Sequence, residues 1–268
     1  MVTELRTDWG SHHEHCCKRL FYCPRGPVLR SKKQRDRGKL AFNDNHKYCA
    51  MTAHFQKEIE KIKKNIISLG KIVENRIQFT QKAVTDVDAE VANTIIKTDR
   101  EIDETEVELE EDCLKIIALY QPVAIDLRFL IAVIKINNDL ERIGDEAVNI
   151  ARRIVSMEKR SEPQKTFDYT EMSKQAENMV RKSLNALINM DVQEAEKVRL
   201  MDDKVDKMQI EAFKNIKKLM GSQPDHLGYL MAHVFIARHL ERIADHATNI
   251  AEEVIYMVDG EIVRHQKL

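Results

Sequence analysis

The sequence predicts an all-α protein made of two tandem three-helix bundles that arose by internal duplication. Three observations lead to this fold class. From Phe55 onward, apolar residues recur at steps of three and four, the period of an amphipathic helix. Only 8 Gly and 5 Pro occur in 268 residues, and good helix formers are abundant. Finally, one thirteen-residue acidic segment occurs twice, which indicates duplicated domains.

The apolar period and its breaks define six helices. Asp88 and Asp191 stand where side-chain oxygens cap free backbone N–H groups, and Glu194 is placed to complete a capping box with Asp191. A polar linker around Pro163 separates the bundles, which are predicted to span residues 51–160 and 161–268. The six helices are predicted at about 54–84, 88–119, 123–158, 168–189, 192–220 and 225–258.

The repeat itself is specific. Residues 139–151 read DLERIGDEAVNIA and residues 239–251 read HLERIADHATNIA, with nine of thirteen positions identical at a shift of 100. Upstream, Asp99 and Asp103 correspond to Asp202 and Asp206 at a shift of 103, the shift that also relates the two capping aspartates. The difference of three residues falls in the turn before the third helix of each half, where changes of length are tolerated.

Residues 1–50 do not follow this pattern. They contain the only Trp, four of the five Cys, several His and a basic run, and no helical period passes through them. A zinc site is one hypothesis, but the spacing of these His and Cys residues matches no standard finger. We favour the alternative, a disordered extension or translated upstream sequence whose natural start is Met51.

Composition narrows the classes of function. Residues 1–50 carry a net charge of +6 and the remainder −7, and an acidic body argues against a nucleic-acid partner. Cys113 is the one cysteine after Met51, which suits a reducing compartment, and it is predicted to lie in the core. No apolar run of 18 residues and no signal-peptide pattern occur, so we expect a cytoplasmic protein.

Pairs of acidic residues four positions apart are the candidate functional residues. On a helical wheel centred on Ile143, the apolar positions of the third helix form one stripe, and Glu141 and Asp145 stack one turn apart on the opposite face. The second helix of each half places its pair on the shoulder of its own stripe. Each half therefore presents four carboxylates from two neighbouring helices: Asp99, Asp103, Glu141 and Asp145 in the first, and Asp202, Asp206, Glu241 and Asp245 in the second.

These pairs predict metal sites. Like charges at this spacing cost a helix roughly 0.2–0.5 kcal/mol per pair, which invites a compensating cation. Carboxylate oxygens suit Mg²⁺, Mn²⁺, Ca²⁺ or iron. A solvated charged face is the alternative, and for a single pair it would be preferred. Four pairs that keep the same register through a duplication favour metal binding over a solvated charged face.

Residues beside the motifs leave open questions. Asn149 and Asn249 extend the acidic rows by one turn and could add amide oxygens. His239 and His246 could be ligands, although exposed helical histidines are the preferred interpretation. Arg142 and Arg242 follow the motif glutamates, and we expect each to form a salt bridge with a neighbouring carboxylate rather than to bind phosphate or a partner.

The acidic repeats and the segments around them resemble the PhoU family. The resemblance is carried by QPVAIDLRFLIAVIKINNDLERIGDEAVNIA from Gln121 and by HLERIADHATNIAEEV from His239, and it extends over about Phe55 to Asp259. The family has an E(D)xxxD pair, present twice, on two adjacent three-helix bundles. The matching residues here are the eight carboxylates named above. The repeats differ at Asp139/His239 and Glu146/His246, which argues against equal metal affinity of the two sites.

The resemblance implies a regulator rather than an enzyme. It implies multinuclear clusters of iron, manganese, magnesium or zinc, a homodimer, and negative regulation of the phosphate-starvation response. It further implies contact with the ATPase subunit of a phosphate transporter and with a membrane sensor histidine kinase. Such contacts would bring a cytoplasmic protein to the inner face of the membrane.

Three other functions fit the sequence less well. A ferritin-like di-iron oxidase needs Glu-x-x-His on two helices, and residues 51–268 contain no Glu three positions before a His. A metal-dependent phosphohydrolase is the main alternative, but the sequence shows no phosphate-binding Gly-rich loop and no nucleophile arrangement. A coiled-coil adaptor needs continuous heptads, whereas Pro122, Pro163, Gly221 and Pro224 interrupt the chain.

Overall fold

A computed structural model describes the chain at residues 38–158 and 167–263. Residues 1–37, which contain the His and Cys residues of the zinc hypothesis and most of the extension that we predicted to be disordered, lie outside the described residues, as do 159–166 and 264–268. Contacts divide the chain after Ala50, and the following description concerns the unit from Met51 to Leu268. The described residues contain helices and turns without any strand, so the all-α prediction is confirmed.

Seven α-helices and one short 3₁₀ helix make up the described residues. In chain order they are α1 (Gly38–Asp86), α2 (Ala89–Lys97), α3 (Arg100–Tyr120), α4 (Ala124–Glu158), α5 (Thr170–Asn189), α6 (Val192–Ser222), the 3₁₀ turn Pro224–His226, and α7 (Leu227–Asp259). None of the helices in residues 38–158 and 167–263 is both long and apolar enough to cross a membrane.

Two boundaries differ from the prediction. Helix α1 begins at Gly38 rather than near residue 54, since neither Gly nor Pro interrupts the chain between Gly38 and Gly70. The predicted helix 88–119 is two helices, α2 and α3, separated at Thr98 and Asp99. At this break the Thr98 carbonyl accepts from a guanidinium of α1, and the N–H of Ile102 donates to the Asp99 carbonyl at 3.0 Å.

The capping prediction is half correct. The Asp88 carboxylate accepts the N–H groups of Glu90 and Val91 at 2.9 and 3.1 Å, and Asp191 accepts the N–H of Glu194 at 3.0 Å. The capping box is not closed: the N–H of Asp191 donates to the Ala186 carbonyl at 3.0 Å, and the Glu194 carboxylate binds the ammonium groups of two lysines at 2.6 and 3.1 Å. A charged lysine is a stronger partner for a carboxylate than a backbone N–H.

Helices α4 and α7 form the centre of the unit. Helix α4 packs on α2, α3 and α7, while α7 packs on α4, α5 and α6. The predicted stripe of α4, which includes Ile136, Ile143 and Ile150, is fully buried, and the matching residues of α7, such as Ile243 and Ile250, are buried too. Because α4 and α7 also pack on each other, each buries a second face that contains polar residues.

Candidate metal centres

The first acidic cluster lies where the start of α3 meets the middle of α4. Burial raises the pKa of Asp99, and the negative charges of Asp103 and Asp145 raise it further. The pKa of Glu141 is raised by its burial, then by Asp145 and, more weakly, by Asp103. The predicted four carboxylates of the first half are therefore close enough to repel one another.

Sequence analysis missed Arg76, which lies at this cluster. Its side chain is 4% exposed, and its Nη1 donates to Asp99 Oδ1 at 2.8 Å. Its Nη2 donates to the Thr98 carbonyl and, at 3.2 Å, to the Thr98 hydroxyl. A signal existed in the sequence, because Arg76 falls on the buried period of α1 that runs through Leu69, Val73 and Ile77.

The second acidic cluster lies between α6 and α7. Burial, followed by the charges of Asp245 and Asp206, raises the pKa of Asp202 to about 6. Burial and then the charges of the same two residues and Asp202 raise the pKa of Glu241 to about 7. Asp202 has a neutral partner, since the Thr248 hydroxyl donates to Asp202 Oδ1 at 3.3 Å. The positive charges of Arg238, Arg242 and His246 act on Glu241 and Asp245, but within the described residues no carboxylate of this cluster forms an ion pair as Asp99 does with Arg76.

The carboxylates of each cluster do not converge on one point. Within residues 53–158 and 167–263, no three or more His, Cys, Asp or Glu side chains are arranged to hold a metal ion. In the first cluster Asp99 is already held in an ion pair by Arg76. The donor set, four carboxylates on two packed helices, has the chemistry that hard cations prefer. Metal binding by these eight residues stays a prediction.

The two histidines are not exposed, so the preferred interpretation of them was wrong. His239 Nδ1 lies 2.5 Å from Glu146 Oε2, and His246 Nδ1 lies 2.9 Å from Asp139 Oδ1. Both pairs join α4 to α7. The two helices are related by an approximate two-fold relationship, so position 139 of one repeat meets position 246 of the other, and position 146 meets position 239.

The neighbouring polar residues are also engaged away from the acidic clusters. Asn249 Nδ2 donates to Asp139 Oδ1 at 3.2 Å, while Asn149 Oδ1 accepts from Arg152 at 3.4 Å. The predicted salt bridges of the arginines are confirmed, with Arg142 at 3.5 Å from Glu141 and Arg242 at 2.9 Å from Glu146. Cys113 is buried as predicted, and burial together with nearby acids raises its pKa to about 12.

All four differences between the thirteen-residue repeats now have a structural explanation. Two of them make α4 and α7 complementary, because each acidic residue of the first repeat faces a histidine of the second. The other two lie near the first aspartate of each cluster: glycine avoids a tight contact with Ile102, and threonine donates to Asp202. The four positions are Asp139/His239, Gly144/Ala244, Glu146/His246 and Val148/Thr248.

Comparison with known proteins identifies the family of this chain. The PhoU domain family matches residues 66–154 and 169–254. The phosphate-specific transport system accessory protein PhoU homologues of Pseudomonas putida and Aquifex aeolicus are 34% and 39% identical, over 81% and 79% of this chain and 86% and 96% of theirs. The crystal structure of PhoU from Pseudomonas aeruginosa superposes with a TM-score of 0.73 at 34% identity, covering 77% of this chain and all of that one. The phosphate transport system regulatory protein PhoU from Streptococcus pneumoniae gives 0.71 at 27% identity, covering 78% of this chain and 99% of its own. The predicted family and fold class are therefore confirmed, and the chain belongs to the PhoU family.

Proposed function

We propose that this protein is a metal-binding regulator of phosphate uptake and a negative regulator of the phosphate-starvation response. It acts by contact with the phosphate transporter's ATPase subunit and with a sensor histidine kinase, without catalysis. Membership of a family whose relatives are named as accessory proteins of phosphate-specific transport supports the first part. Through these partners the protein works in the cytoplasm at the inner face of the membrane.

The two clusters of mutually repelling carboxylates carry the metal-binding part of the proposal. Raised pKa values at Asp202 and Glu241, about 6 and 7, are the single most informative observation, because after burial their next cause is repulsion from the neighbouring carboxylates. When bound, an ion of iron, manganese, magnesium or zinc supplies the positive charge that offsets four carboxylates. Asp206 and Asp245 then hold α6 and α7 together instead of repelling each other.

Exposed apolar side chains at the beginning of α4 and α7 support contacts with partners or a second copy. Leu127 and Leu227 are 37% and 50% exposed, and Ile131 and Met231, at the same shift of 100, are 37% and 38% exposed. These apolar positions are matched in the two repeats and lie at the beginning of equivalent helices. They therefore suit contact with another protein surface. A homodimer of this chain is part of the proposal.

The regulatory role is tested in cells. Deleting the gene should switch on a phosphate-starvation reporter in phosphate-rich medium, and the wild-type chain should restore repression. The variants Leu127→Asp and Leu227→Asp, which keep both clusters intact, should fold but restore repression poorly. Light scattering of the same variants separates loss of the dimer from loss of the transporter contact. Full repression in the deletion strain would contradict the proposal.

The absence of catalysis and the metal content are tested on purified protein. Protein prepared without chelator should contain metal, and the variant in which Glu141, Asp145, Glu241 and Asp245 are replaced by alanine should contain much less. A phosphatase assay of the metal-loaded protein should give no turnover. Phosphatase activity that disappears on Glu141→Ala would instead support the metal-dependent phosphohydrolase.

A further inference from the structure

We infer that Arg76 is a built-in counter-ion of the first acidic cluster, so that the two clusters bind divalent cations unequally and the second binds them more tightly. The inference rests on the proposed metal-binding function. It concerns which of the two sites is loaded first, and it follows from one position at which the duplicated halves differ.

Arg76 is fixed at the cluster by three contacts. Its guanidinium donates to Asp99 Oδ1 at 2.8 Å, to the Thr98 carbonyl, and to the Thr98 hydroxyl at 3.2 Å. The side chain is 4% exposed, so this charge cannot simply turn toward solvent. An arginine stays protonated at every physiological pH, and the cluster therefore keeps one positive charge permanently.

Gly144 lies beside this arrangement, and its nearest neighbour is Ile102. A Cβ atom built on Gly144 would lie 3.0 Å from Ile102 Cδ1, a tight contact, and 4.0 Å from Arg76 Nη1, an ordinary one. The second repeat has Ala244 at the equivalent position and, at the shift of 103, Val205 in place of Ile102, so the crowding Cδ1 atom is missing there.

In the second half the position equivalent to Arg76 carries no charge. The shift of 103 that relates Asp88 to Asp191 and Asp99 to Asp202 places Met179 opposite Arg76, and Met179 is fully buried. Asp202 instead accepts a hydrogen bond at 3.3 Å from Thr248, a neutral donor that a metal ion does not repel. The second cluster therefore offers four carboxylates without a permanently charged competitor at this position.

The consequence for cation binding is direct. A divalent ion that enters the first cluster is repelled by Arg76 and has to compete with its guanidinium for Asp99, and both effects weaken affinity. An ion that enters the second cluster does not have to displace a guanidinium from Asp202; Arg238 and Arg242 act on Glu241 and Asp245 only through space, with no hydrogen bond to them in the described residues. We expect the dissociation constant for Mn²⁺ to be at least tenfold higher in the first cluster than in the second.

Titration of Mn²⁺ into full-length, chelator-treated protein tests this, with calorimetry and electron paramagnetic resonance as the readouts. The variant E241Q/D245N leaves the first cluster alone, and E141Q/D145N leaves the second alone. Adding Arg76→Met to E241Q/D245N should lower the Mn²⁺ dissociation constant at least tenfold, toward that of the second cluster. The matched control is Arg152→Met, which removes an equal charge two turns beyond Asp145 on α4. It should change the constant less than twofold.

Arg76→Gln is the second variant, for use if Arg76→Met does not fold, because glutamine keeps a hydrogen-bonding side chain without the charge. It should also lower the Mn²⁺ dissociation constant of the first cluster. Equal dissociation constants of the two single-cluster proteins, or an unchanged constant in both Arg76 variants, would overturn the inference while leaving metal binding intact. If neither single-cluster protein binds Mn²⁺, the proposed metal-binding function itself fails.

Discussion

The two halves of the molecule place four carboxylates at equivalent positions but handle their charge differently. In the first half Arg76 forms an ion pair with Asp99, whereas in the second half a methionine occupies the same position and the pKa of Glu241 rises to about 7. A duplicated motif therefore need not have a duplicated function. The side chains around a motif, which come from a different helix, decide how much of its negative charge is left for a ligand.

The interface between α4 and α7 shows a second kind of divergence. An exact repeat would bring two carboxylates, or two histidines, together across the approximate two-fold relationship. In this chain Glu146, which is 6% exposed, faces His239 and Arg242. Burial alone would raise the pKa of Glu146, but its hydrogen bond to His239 and the nearby positive charges lower it overall. Divergence has made the two repeats complementary.

The largest expected effect comes from making the repeats alike at this interface. His239→Asp would place a second carboxylate against Glu146, and unfolding in urea should show a loss of about 3–5 kcal/mol, as for other broken buried pairs. The swapped variant, His239→Asp with Glu146→His, should recover at least half of that loss. If the swap is no more stable than the single variant, the complementarity of the two repeats is not what holds α4 against α7.

The next effect concerns metal and distinguishes the two clusters. At a hundredfold excess over its dissociation constant, Mn²⁺ should stabilise the protein by about 2.7 kcal/mol per site, or roughly 5–10 °C in melting temperature. We expect E241Q/D245N to abolish most of this rise and E141Q/D145N to abolish less. Without metal, both variants should be slightly more stable than wild type, because they relieve repulsion. Melting curves that move together in all three proteins would favour a solvated charged face.

His233 gives the third prediction, because repeat one has Val133 in its place. The imidazole is buried between Tyr169 and Tyr229, neither of its nitrogens has a hydrogen-bond partner in the described residues, and burial lowers its pKa to about 4. In the unfolded chain His233 binds a proton near pH 6.5, whereas in the folded chain it stays neutral down to about pH 4. Its contribution to the free energy of unfolding is therefore fully present above pH 6.5 and is lost as pH falls toward 4.

The corresponding experiment is a comparison of wild type and His233→Val in urea at two pH values. Between pH 7 and pH 5 the wild type should lose about 2 kcal/mol that the variant retains. The comparison uses differences, so any cavity left by the shorter side chain cancels. An equal loss in both proteins would show that His233 is not the source of acid sensitivity.

The smallest expected effect is the opposite pH dependence of the second cluster. Because the pKa of Glu241 is raised to about 7, the folded chain binds more protons than the unfolded chain above about pH 4.5, and stability decreases as pH rises to 7. Wild type in chelator should therefore become less stable relative to Glu241→Gln as pH rises. Glu141→Gln is the matched control, and its difference from wild type should change less. A flat difference for Glu241→Gln would mean that the second cluster is already neutralised.

Local patterns in the sequence were sufficient for much of this architecture. The 3.6-residue period identified the buried stripe of α4, the caps Asp88 and Asp191 marked two helix starts, and the repeat predicted two bundles. It also predicted which four carboxylates of each half share a surface. These features depend on residues a few positions apart on one helix, or on two consecutive helices, whose relative faces follow from helical geometry.

Other features were decided only by the tertiary structure. Three contacts join parts of the chain that lie 22 to 93 positions apart: Arg76 with Asp99, Arg76 with Thr98 at the break between α2 and α3, and Glu146 with His239. A helical period says which face of a helix is buried, but not which residue of another helix lies opposite it. A polar residue on a buried face is stable only if its partner is present, and that partner is chosen by how the helices pack.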